Sequence, residues 1–154
     1  KILSEHTFDV SEYVVGLQES KGVAGGLTAL PGGVTVHLAC HARAQNIGPK
    51  AVEMLRLIPD VDLTVVERCS GHGGAWGVKK GNFDTALKVG KPAARQAVKA
   101  TRAFVVSECP LAGEHLRQGM ERVSDGLRSV DQVTHPIQLL AFAYGLEQPE
   151  LQRD

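Results

Sequence analysis

Three β-rich runs, each closing on a cysteine, constrain this chain more than any other feature. They are VTVHLAC at 34–40, VDLTVVERC at 61–69 and TRAFVVSEC at 101–109. Helix-patterned segments follow each run: IGPKAVEMLRLI at 47–58, KGNFDTALKVG with KPAARQAVKA at 80–100, and LAGEHLRQGM at 111–120. Strand–helix alternation of this kind predicts an α/β fold, a small parallel sheet with flanking helices. Its crossovers are expected to be right-handed. Parallel strands present their carboxyl ends at one edge, and open α/β sheets bind ligands outside that edge. Cys40, Cys69 and Cys109 are therefore expected to converge on one site at the carboxyl ends of the strands. Free cysteine is often a small core hydrophobe, but filler has no reason to choose the same edge three times.

The remaining elements complete a single domain. DVSEYVVGLQ at 9–18 places Val10, Tyr13, Val14 and Leu17 on one helical face, with Asp9 as N-cap and Glu12 three residues on, an acidic form of the capping box. KGVAGGLTALPGG at 21–33 reads as a loop with room for a short strand. Gly90 and Pro92 divide 80–100 into two helical segments, with Pro92 in the first turn of the second. HPIQLLAFAYG at 135–145 reads as a closing helix with Pro136 at its start and Gly145 past its end. The expected organisation is an N-terminal helix and loop over 1–30, a cysteine-rich domain over 31–146 and a tail over 147–154. The first residue is Lys1, so the chain is expected to be a fragment of a longer one.

Composition narrows the function. Lys and Arg number 17 and Asp and Glu 17, a formal net charge of zero, which leaves no electrostatic footprint for nucleic acid. No apolar run approaches the ~20 residues of a membrane span. The odd cysteine count and a length of 154 residues argue against disulfide staples and for a reducing compartment, with thiols free or bound to metal.

Behind Cys69 the sequence packs Gly71, Gly73, Gly74 and Gly77 around His72 and Trp76. Glycines let the backbone come close and adopt positive φ, and consecutive amides in such a turn form a nest for an anionic group. For a thiolate-bound centre the acceptors are sulfurs. A nucleotide loop is not indicated, because neither the Walker spacing nor GxGxxG is present. His72, three residues after Cys69, is the first candidate for a fourth, non-cysteine ligand. His41, next to Cys40, points less well, because adjacent side chains leaving a strand diverge. Ser70 is a weaker oxygen donor for a soft metal. His37 reads as a satisfied core or edge residue, His135 as a helix start, and His115 as a helix residue. Arg43 can balance cluster charge, Lys79 and Lys80 read as solvated, and Trp76 reads as a cover for the site or as core. No nucleophile–base pair is evident, since Ser70 with His72 lacks an acidic orienter.

At these residues the chain resembles the cysteine-rich CCG domain. That family includes the B subunit of heterodisulfide reductase, the iron–sulfur C subunit of anaerobic glycerol-3-phosphate dehydrogenase, and the iron–sulfur subunits of glycolate and lactate oxidases. ACHARAQ matches its first element at Cys40, ERCSGHGGAWGVKKGNF its second at Cys69, and SECPLAGEHLRQG its third at Cys109. The intervals of 28 and 39 residues are close to the family's, and the likeness covers roughly residues 34–145. Two family cysteines are replaced, by Ser70 and Ala112, so the non-cubane cluster pair that needs the full set is not expected. The resemblance implies an iron–sulfur electron-transfer module of a larger oxidoreductase, heterodisulfide reductase-like or glycerol-3-phosphate/glycolate dehydrogenase-like. It implies a [4Fe–4S] cluster with a non-cysteine fourth position and a flavin or ferredoxin-like redox partner. The implied location is the cytoplasm, peripheral to the inner membrane through partners and without a span of its own. Two alternatives stay open: a zinc-binding Cys3His domain, structural or thiol-binding, and a degenerate metal-free docking domain.

Overall fold

The computed structural model describes residues 2–128, 130 and 132–146; the expected tail at 147–154 lies outside the described residues. In chain order the elements are α1 (Ile2–Glu5), α2 (Val10–Lys21), β1 (Val34–His37), α3 (Cys40–Ala44), α4 (Lys50–Leu55), β2 (Leu63–Val66), α5 (Phe83–Ala100), β3 (Phe104–Ser107), α6 (Pro110–Val123) and α7 (Pro136–Ala143).

The sheet is parallel throughout, in the order β2-β1-β3. Central β1 is buried along its whole length, as expected of a parallel strand covered on both faces. Its register pairs Val34 with Leu63 and Phe104, and His37 with Val66 and Ser107. All three strands therefore stop at the same level. The outer edge of β3 is closed by Thr134, whose carbonyl accepts from the Ser107 amide at 3.0 Å, which hides a row of otherwise unpaired backbone groups.

Alternation along the strands separates two cores. Val34, Val36 and Val106 pack with Met54, Leu55 and Ile58 around α4, with Val15 of α2, and with Leu139 and Leu140 of α7. Val66 and Val105 pack on the other side with Ala93, Ala94 and Ala97 of α5 and Leu116 and Met120 of α6. Small residues let α5 and α6 approach closely: a Cβ on Gly119 would lie 3.1 Å from the Ala94 Cβ.

Local signals act as their chemistry predicts at several ends. Asp9 caps α2 by accepting from the Ser11 amide at 2.8 Å, and Glu12 reaches back to the Asp9 amide. His135 caps α7, and Gly145 follows it at φ 77°.

Five expectations are corrected. The segment 21–33 contains no strand among the described residues, and a short α1 precedes the expected N-terminal helix. Residues 80–100 do not form two helices: α5 runs unbroken with Pro92 inside it. Proline in a helix interior costs about 3 kcal/mol, offset here by the alanine face of α5 buried against α6. Gly90 is not a breaker but a contact point, where a Cβ would sit 2.0 Å from the Ser70 carbonyl oxygen. Lastly, the cysteines are not strand residues. Each strand stops two or three residues earlier, Cys40 opens α3, and Cys109 is the N-cap of α6.

Candidate metal centre

The three segments that leave the carboxyl edge carry Cys40, Cys69 and Cys109, all free thiols. They lie in two contact pairs. The Cys40 thiol meets that of Cys69, and partial burial together with this neighbour pushes the Cys40 thiol up, against a downward pull from Arg43. The Cys109 Sγ faces His72 Nε2 at 3.9 Å.

The glycine turn supports both pairs. Gly71, at φ 89°, points its amide at the Cys69 Sγ, 3.3 Å away. Gly73 and Gly74 also adopt positive φ. Gly77 does not; its lack of a side chain serves close approach, because a Cβ would fall 2.4 Å from the His72 carbonyl oxygen. The His72 Nδ1 lies 3.2 Å from the Gly74 carbonyl oxygen. A carbonyl only accepts, so Nδ1 carries the proton and donates. The lone pair is thereby left on Nε2, the nitrogen turned towards Cys109, as in metal-ligating histidines whose other nitrogen is held by a carbonyl.

The other candidates fall elsewhere. His41 is exposed on α3, Lys79 and Lys80 are exposed, and Ser70 is buried with its carbonyl against Gly90. Arg43 donates to the Glu67 carbonyl at 3.2 Å. Trp76 is 45% exposed, which removes it from the core. His115 is buried edge-on to Phe83, and burial lowers its pKa. His37 is buried at the end of β1, 2.9 Å from Ser107 Oγ and 2.9 Å from the Arg68 carbonyl oxygen.

One further residue at the edge carries no signal in the sequence pattern. Glu108 is buried beside Cys109, and its Oε2 accepts from the Ala39 amide at 3.3 Å, joining the Cys40 and Cys109 segments. Its Oε1 has no hydrogen-bond partner among the described residues. Burial raises its pKa to about 7, against the Ala39 amide, with Asp9 adding to the rise. The only hint in the sequence is an acidic residue between a buried strand and a cysteine.

The donor set fits a sulfur-ligated centre in kind: two thiols in contact, a third beside an imidazole lone pair, and a backbone amide on sulfur. It is not a ready-made cage for a single ion. Among the described residues no three His, Cys, Asp or Glu side chains stand together closely enough to hold one, whereas a tetrahedral zinc needs ligands at about 2.0–2.3 Å from a common point. Among the described residues, too, no helix is long and apolar enough to cross a membrane.

Comparison with known proteins adds kinship. The chain is 36% identical over 118 residues to the C subunit of anaerobic glycerol-3-phosphate dehydrogenase from Escherichia coli (strain K12), covering 76% of this chain and 28% of that protein. It is 35% identical over 94 residues to an uncharacterized iron–sulfur protein of Methanocaldococcus jannaschii, covering 60% of this chain and 19% of that protein. It is 32% identical over 115 residues to the B subunit of fumarate reductase (CoM/CoB) from Methanothermobacter marburgensis, covering 72% and 22%. The matched region is thus under a third of each relative's length. No family model matches the chain, and no solved structure does.

Proposed function

This chain is related to iron–sulfur proteins that include subunits of oxidoreductases, and is consistent with a CCG-type domain; on that premise we propose that it is an iron–sulfur electron-transfer module of a larger oxidoreductase. Cys40, Cys69 and Cys109 hold a cluster of the [4Fe–4S] type, and His72 Nε2 takes the fourth position. The carrying observation is the placement of two donor pairs at one sheet edge, with the Gly71 amide aimed at the Cys69 sulfur. When bound, the cluster supplies one-electron chemistry at a potential set by its ligands and by hydrogen bonds to sulfur.

The chain's own residues do the rest. The Gly71 amide withdraws charge from the Cys69 sulfur, which favours the reduced state. The Gly74 carbonyl fixes the His72 tautomer. Partial exposure of Cys40 and Cys69 leaves the edge accessible to a flavin or ferredoxin-like partner.

The test is anaerobic reconstitution of the full chain with iron and sulfide, followed by reductive titration. A brown protein whose visible absorption bleaches and returns reversibly, and whose colour is lost in Cys69→Ala, is the expected result. A colourless protein with stoichiometric zinc and no sulfide would select the zinc domain, and a protein that retains no metal would select the docking domain.

A further inference from the structure

His37 lies at the centre of the edge yet is no candidate ligand, since both its nitrogens are already engaged. The Arg68 carbonyl oxygen, 2.9 Å from Nε2, can only accept, so Nε2 bears the proton. Nδ1 is then an acceptor and receives the Ser107 hydroxyl at 2.9 Å. The Ser107 Oγ in turn accepts from the Cys109 amide at 3.5 Å. The bonds form one directional relay: Cys109 N–H to Ser107 Oγ, Ser107 O–H to His37 Nδ1, and His37 Nε2–H to the carbonyl of Arg68. That carbonyl belongs to the peptide that bears the Cys69 amide. His37 is 1% exposed, and Ser107 also 1%. The relay therefore joins β1 and β3 at their last register level, His37 opposite Ser107, to the segment that leaves β2, and His37 itself stands three residues before Cys40.

We propose that His37 is a positioning residue for the thiol site: its neutral imidazole, bridging the Arg68–Cys69 peptide and the Ser107–Cys109 turn, holds the cysteine-bearing segments at a fixed spacing. The physical case rests on geometry. Segments after strand ends are free to swing unless tied, and no strand hydrogen bond reaches Cys69 or Cys109. Two bonds from one rigid ring remove that freedom before any metal arrives, and burial keeps the ring in the neutral form that can both donate and accept. The inference rests on the functional reading above for its purpose, but the clamp itself is a property of the metal-free chain.

The experiment compares wild type with His37→Phe, which keeps a ring and loses both bonds, His37→Gln, whose amide can restore a donor and an acceptor, and Ser107→Ala, which cuts only the Cys109 side. Hydrogen exchange on the full metal-free chain is read on peptides covering 66–70 and 107–110, with 50–58 as reference. Loss of a buried hydrogen bond should speed local exchange about fivefold. The expected pattern is acceleration at both sites in His37→Phe, at 107–110 in Ser107→Ala, and partial restoration in His37→Gln, with 50–58 unchanged. Iron affinity of the reconstituted chain should fall about 10-fold in His37→Phe, the lower end for outer ligand-orienting groups, and its midpoint potential should move. Unchanged exchange at 66–70 and 107–110, or equal acceleration throughout the domain, would overturn the clamp. If the exchange pattern appears but wild type binds no iron, the clamp stands and the electron-transfer reading falls.

Discussion

Gly90→Ala gives a prediction whose sign separates local propensity from tertiary contact. Gly90 lies in the interior of α5, where replacing glycine by alanine normally stabilises by about 1 kcal/mol. Here the new Cβ would meet the Ser70 carbonyl oxygen at 2.0 Å and its carbon at 2.8 Å. Both are backbone atoms, so no rotamer change relieves the contact; α5 or the Ser70–Gly71 turn must move. Overpacking of this kind costs about 1–3 kcal/mol, occasionally more. Subtracting the propensity gain leaves a net loss of about 0–2 kcal/mol, or a fall in Tm of up to about 8 °C for a chain of this size. The turn forced aside is the one that aims the Gly71 amide at Cys69, so metal retention should weaken with stability. The control is Gly16→Ala, in the interior of α2 with nothing within 4 Å of the added Cβ, which should stabilise by about 1 kcal/mol. Urea unfolding of both variants in metal-free form is the assay. A Gly90→Ala protein stabilised by about 1 kcal/mol, as Gly16→Ala should be, would refute the close approach of α5 to the Ser70–Gly71 turn.

Two further outcomes are expected. Asp9→Ala removes the side-chain half of the α2 capping box, the bond from the Ser11 amide, and leaves the backbone amide that Glu12 accepts from; it should cost about 0.5–2 kcal/mol in urea unfolding, with no change in thiol or metal behaviour. Glu108 folds with a pKa of about 7 against an ordinary value of 4.5. Between those pH values the unfolded chain has released its proton while the folded chain keeps it, so stability falls as pH rises and the full penalty is present above about 7. Glu108→Gln in the metal-free chain should therefore gain on wild type by about 2–3 kcal/mol from pH 4 to pH 8, and a difference that stays flat over that range would show that the carboxyl is not buried as described.

The alternation of strands and helices was legible because it rests on short β-branched runs and on the topology that parallel strands enforce. Val34–His37, Leu63–Val66 and Phe104–Ser107 all lie inside the expected runs. The runs were read too far: LAC, ERC and SEC continue the composition of a strand but not its hydrogen bonding, since Cys40 and Cys109 belong to helix starts. Asp9 and Gly145 were legible because caps are local chemistry. Gly90 and Pro92 misled for the opposite reason: both are local breakers overridden by packing, one by a backbone contact with Ser70 and the other by the alanine face against α6. At the site, convergence on one edge could be read from topology. The partition into Cys40 with Cys69 and Cys109 with His72 depends on loop paths that spacing does not encode. Glu108 was invisible because a carboxylate is expected in water, and its burial comes from the turn between β3 and α6.

The central claim is that three thiols from three strand ends share one iron–sulfur centre, and it is tested most directly by iron and acid-labile sulfide analysis of the anaerobically reconstituted full chain beside Cys40→Ser, Cys69→Ser and Cys109→Ser. The account predicts about four iron and four sulfide per chain in wild type, as a [4Fe–4S] centre requires, and loss of most of both in each of the three variants. Wild-type iron and sulfide content in Cys109→Ser, the thiol paired with His72 rather than with another cysteine, would contradict it.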